Sequence, residues 1–77
     1  MKYFALQYHE PESKENYFFL ISETGNILLM DTNRTLEGLL NYAAKKRILK
    51  SDIQFEAPKK VIKKAKEFLG NLKIRAI

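Results

Sequence analysis

Residues Tyr17 to Met30 read YFFLISETGNILLM: two continuous apolar runs, Tyr17 to Ser22 and Ile27 to Met30, held apart by Thr24-Gly25-Asn26. The central residues are turn formers, so the two runs fold back on one another as a β-hairpin. A strand with one wet face alternates apolar and polar side chains, and these runs do not. At least one of them is therefore covered on both faces, either centrally in a sheet or against a partner chain.

On the N-terminal side, residues 2 to 8 (KYFALQY) alternate, with Tyr3, Ala5 and Gln7 on one face and Phe4, Leu6 and Tyr8 on the other, which predicts a first strand. His9 to Asn16 (HEPESKEN) has the composition of an exposed loop. On the C-terminal side, a polar break at Asp31 to Arg34 precedes Thr35, an N-cap for a helix over Leu36 to Arg47 whose apolar residues Leu36, Leu39, Leu40, Ala43 and Ala44 recur at helical spacing. Ser51 to Glu56 alternates Ile53 and Phe55 with polar neighbours and suggests a short strand.

Pro58 opens a second helix that runs to about Leu69 and stops at Gly70-Asn71. Its stripe is Val61, Ile62, Ala65, Phe68 and Leu69, and its other positions carry Lys59, Lys60, Lys63, Lys64 and Lys66. Leu72 to Ile77 reads as an edge strand studded with Lys73 and Arg75. The order is βββαβαβ, and the expected fold class is α+β: a single small domain over residues 1–77, with a mostly antiparallel sheet of about four strands and two helices on one face.

The chain has 77 residues, 14 Lys and Arg against 9 Asp and Glu, a formal net charge of +5, and no Cys or Trp. Without cysteine there is no disulfide frame, no thiolate metal site and no cysteine nucleophile. No apolar stretch reaches signal-peptide or membrane-span length, so the expected location is cytoplasmic. A core this small, with no staple, makes a homodimer a reasonable expectation.

No catalytic motif is present. His9 is the lone histidine, Glu10, Glu12 and Glu15 lack calcium-loop spacing, and the three glycines are explained as turn, helix interior and cap. The expectation is a non-enzymatic protein with no cofactor and no metal. Tyr8 and Tyr17 flank the polar loop and are the aromatics best placed to stack on unpaired bases, although most strand aromatics serve as core.

Charge distribution is the informative feature. Residues 1–38 carry three cations and six anions, whereas residues 39–77 carry eleven cations and three anions. The eleven are Lys45, Lys46, Arg47, Lys50, Lys59, Lys60, Lys63, Lys64, Lys66, Lys73 and Arg75, the candidate nucleic-acid-binding set. Joined into one patch, they would hold a phosphate backbone by counterion release or dock an acidic protein; the competing reading is an ordinary solvated face. Only two are arginines, which argues for backbone contact over base readout. The alternative function is a protein-interaction or inhibitor module, of phage accessory or toxin-neutralising type, working through a sheet edge or the aromatic hairpin.

The hairpin, the polar break and the helix opening Thr35-Leu36-Glu37 resemble, over Tyr3 to Ala44, the N-terminal half of HicB-type antitoxins. That resemblance implies a sheet-and-helix unit that neutralises an RNA-cleaving partner. Tyr17 to Met30 lacks the family's Pro-Gly-Cys segment and the basic second helix has no counterpart in it, so no residue role is carried over.

Overall fold

A computed structural model describes residues 2–28, 34–70 and 73–76. Its elements are β1 (Tyr3–His9), β2 (Asn16–Ser22), β3 (Ile27–Leu28), α1 (Leu36–Lys45), a 3-10 turn at Lys50–Asp52, β4 (Ile53–Gln54), α2 (Lys59–Leu69) and β5 (Lys73–Ala76). The fold is α+β with the expected order, and its mostly antiparallel sheet has five strands rather than about four. The expected strand at Ser51 to Glu56 is shorter, a 3-10 turn leading into Ile53–Gln54. Leu29 and Met30 of the second apolar run, and Leu72 and Ile77 of the last strand, lie outside the described residues.

β1 is the central strand. It pairs antiparallel with β2 along its whole length, and its other edge is shared end to end: Tyr3 and Phe4 run parallel to β4, while Leu6 to His9 run antiparallel to β5. The β2–β3 hairpin forms as its sequence predicts, with Leu20 opposite Leu28 and Ile21 opposite Ile27. Its turn needs Gly25, whose φ is +94°. Ser22, the one buried polar side chain among the described residues, is satisfied within this turn: its hydroxyl accepts from the Asn26 amide at 3.0 Å and meets the Thr24 hydroxyl at 2.9 Å. The polar loop is a tight hairpin connection, closed by the Glu10 amide donating to the Glu15 carbonyl at 2.8 Å.

The two helices cover opposite faces of the sheet, which corrects the expectation of one shared face. Phe4, Leu6, Phe19, Ile21 and Ile74 pack with Val61 and Ala65 of α2, whereas Ala5, Leu20 and Ile53 pack with Leu39 and Ala43 of α1. The reason is visible in the pairing. Phe18 and Leu20 stand on one face of β2 and Phe19 and Ile21 on the other, all apolar, so each face needs its own cover. Connectivity supplies it: α1 carries the chain from β3 at one edge to β4 at the other across one face, and α2, packed on the second face, links β4 to β5 along the edge of β1 that they share.

Both helices end as local chemistry dictates. The Thr35 hydroxyl accepts from the Gly38 amide at 3.0 Å and caps α1. That helix stops at Lys45, two residues before the expected Arg47, because Arg47 turns into the left-handed region with φ +61°. The Arg47 amide then donates to Ala44 and the Ile48 amide to Ala43, both at 3.0 Å, which is a Schellman closure. α2 ends at Gly70, φ +76°, whose amide donates to the Lys66 carbonyl at 2.9 Å. No helix among the described residues is long and apolar enough to cross a membrane.

Candidate nucleic-acid interface

An 11-residue helix with one apolar stripe has no choice about its other side. Val61 and Ala65 are buried, Ile62 and Leu69 are half-buried, and Lys59, Lys60, Lys63, Lys64 and Lys66 are all exposed. Lys59, Lys63 and Lys66 follow one another at helical spacing and rim a shallow depression of about 260 Å³ floored by Ile62. Lys64 leans the other way, its Cδ 3.4 Å from where a Cβ on Gly25 would stand, so its stem lies over the β2–β3 turn. Glu67 is the lone carboxylate on the helix. No α2 lysine has an ion-pair partner among the described residues, where the one salt bridge joins Arg34 to Glu15. The helix therefore presents five cations and one carboxylate, Glu67, to solvent, and an excess of positive charge of that density attracts polyanions.

The remaining expected cations are not part of that surface. Lys45, Lys46, Arg47 and Lys50 cluster at the end of α1, on the opposite face of the sheet. Arg47 and Lys50 line a cleft of about 500 Å³ with Leu40, Ile48 and Ile53, while the Lys46 ammonium sits 5.8 Å from the Tyr42 ring centre in a cation–π contact. Lys73 and Arg75 form a third group on β5. Register puts Lys73 beside His9 and Arg75 beside Gln7, on the α1 face, where they share a cavity of about 340 Å³ with Asn16. The sequence-predicted set is thus three groups rather than one patch.

The two tyrosines do come together, but on each other. Tyr8 and Tyr17 are cross-strand neighbours whose rings stack 5.4 Å apart at 18°. Tyr17 also lies under the Arg34 guanidinium at 5.7 Å, and its hydroxyl donates to Glu15 at 3.1 Å. Glu15 in turn binds Arg34 at 3.2 Å through both carboxylate oxygens. These rings are occupied by protein groups and act as a clasp between the β1–β2 loop and the start of α1.

Sequence reasoning passed over two features. One is the polar shelf of Gln7, His9 and Asn16 beside the β5 cations, legible in the alternation of Gln7 and His9 with Leu6 and Tyr8; there the His9 Nδ1 lies 3.1 Å from the Asn16 Oδ1. The other is Phe68, assigned to the buried stripe of α2 but 72% exposed. No three His, Asp or Glu side chains gather as a metal site among the described residues. No family model, curated protein or solved structure matches this chain significantly.

Proposed function

We propose that this protein is a non-enzymatic nucleic-acid-binding module that holds the phosphate backbone on the exposed face of α2, with little sequence specificity. The observation that carries this reading is that, among the described residues, no carboxylate pairs with Lys59, Lys60, Lys63, Lys64 or Lys66, five cations on three helical turns. Lysine is a point-charge donor suited to phosphate and poorly suited to bidentate base recognition, so the helix positions a strand without reading it. The protein-interaction alternative drew on the continuous apolar runs of the hairpin. Phe19 and Ile21 pack under α2 and Leu20 under α1, which accounts for the run in β2 without an external partner.

Binding of labelled single-stranded and duplex oligonucleotides across a salt series, with light scattering on the same sample, tests the proposal. Five phosphate contacts would give a log–log salt slope of about −3.5 on single strands and about −4.5 on duplex. The triple variant Lys60→Glu, Lys63→Glu, Lys64→Glu should lose binding without a change of mass. Absence of binding by the native chain at low salt would refute the reading.

A further inference from the structure

We infer that the ligand of α2 is single-stranded nucleic acid, and that Phe68 is the platform on which one unpaired base stacks. The inference rests on the lysine reading above and goes beyond it by naming the strand type and an aromatic contact.

Phe68 is a phenylalanine that folding leaves in water. Val61, Ala65 and Leu69 take the buried line of α2, and Phe68 stands one residue, about 100° of helix rotation, before Leu69. At 72% exposure it contributes little to either core. Leu49 and Phe55, the other large exposed apolar residues among those described, lie in the α1–α2 connection and not on α2. Phe68 instead follows Lys60 and Lys64 at four-residue steps, which places all three along one side of α2 with neighbouring Cβ atoms about 5–6 Å apart. An exposed ring in line with solvent-facing cations is the combination by which proteins hold unpaired strands: charge tracks the backbone and the aromatic face takes a base of any identity. A duplex offers the same phosphates but keeps its base faces stacked internally, so only a single strand can use the ring.

Other occupants fit less well. An interfacial membrane helix lays a broad apolar face into lipid, and here that face is committed to Phe4, Leu6, Phe19 and Ile21 of the sheet, leaving one ring exposed. A second copy docked on α2 would oppose five lysines to five lysines.

The test uses the full chain and a labelled oligothymidine, compared with a duplex of equal length and with vesicles of anionic phospholipid. Phe68→Ala should weaken oligothymidine binding about 5- to 150-fold while duplex affinity changes less than about two-fold. The chain contains no tryptophan, so Phe68→Trp installs a single reporter. Its fluorescence should be quenched by oligothymidine and not by duplex. Unchanged oligothymidine affinity in Phe68→Ala, with binding still abolished by reversal of Lys60, Lys63 and Lys64, overturns the stacking role and leaves the lysine reading standing. Equal losses on single strand and duplex overturn it as well. No binding of either oligonucleotide by the native chain, or binding of the vesicles instead, overturns both.

Discussion

The Ile48 amide donates to the Ala43 carbonyl at 3.0 Å, and between these two residues the chain passes through Arg47 at φ +61°. The bond closes α1 and returns Ile48 to the core beside Ala43. Glycine is the usual residue at such a position, since a side chain there meets the backbone at a cost of about 1 kcal/mol. Arg47→Gly should therefore raise stability by roughly that amount. Urea denaturation checks it, and a fall in the midpoint would show that the arginine side chain makes a stabilising contact stronger than the strain.

Phe19 and Phe68 allow one chemical change to be made in two environments. Phe19 is fully buried under α2, and Phe68 is 72% exposed on α2 itself. Phe19→Ala should cost about 3–5 kcal/mol, a large part of the roughly 4–12 kcal/mol available to a chain of this size. Phe68→Ala should stay within about 0.5 kcal/mol. Thermal or urea unfolding of the two variants separates them; comparable losses would mean that Phe68 is packed.

Gly25 should tolerate no side chain. At φ +94° an alanine is strained in any surroundings, and its Cβ would meet the Lys64 stem at 3.4 Å. Gly25→Ala is expected to destabilise by more than about 1 kcal/mol, measured by the shift in unfolding midpoint. An unchanged midpoint would show that the turn has another accessible conformation.

Opposite placement of the helices makes the salt slope a map. Neutralising Lys59, Lys63 and Lys66 should reduce the log–log slope on oligonucleotide by about 2–3, since each lost contact removes about 0.7–0.9. Neutralising Lys45, Lys46 and Lys50, which lie on the α1 side, should leave it nearly unchanged. If the second set reduces the slope as much as the first, the strand wraps both faces.

What the sequence made legible was local. Thr35 announced the start of α1, Pro58 and Gly70 bracketed α2, and Gly25 marked the hairpin turn, because each satisfies a backbone requirement within a few residues. The early stop of α1 escaped notice, since an arginine carries no signal for a left-handed φ. Placement of the helices was harder, because both have a stripe that fits either face. The double apolar character of Phe18 to Ile21 calls for cover on both faces, and two helices on one face would leave the other bare; the structure resolves this by giving each face its own helix. Phe68 misleads for a related reason: periodicity ranks the flank of a stripe with its centre, and the ring is 72% exposed. The candidate surface was legible as five lysines on α2; its separation from the α1 and β5 cations follows from long-range pairing that periodicity does not encode.

β1 lies beside β2, β4 and β5, so the strand read from residues 3–9 receives its last neighbours from residues 73–76. A hairpin between β1 and β2 closes over a six-residue loop and can assemble early, whereas the β5 register must wait for nearly the whole described chain to be gathered. That distant docking step carries the largest loop-closure cost of the three pairings of β1. Until it occurs, the backbone of Leu6 to His9 is an open template for another strand, and Lys73 and Arg75 arrive with the segment that closes it.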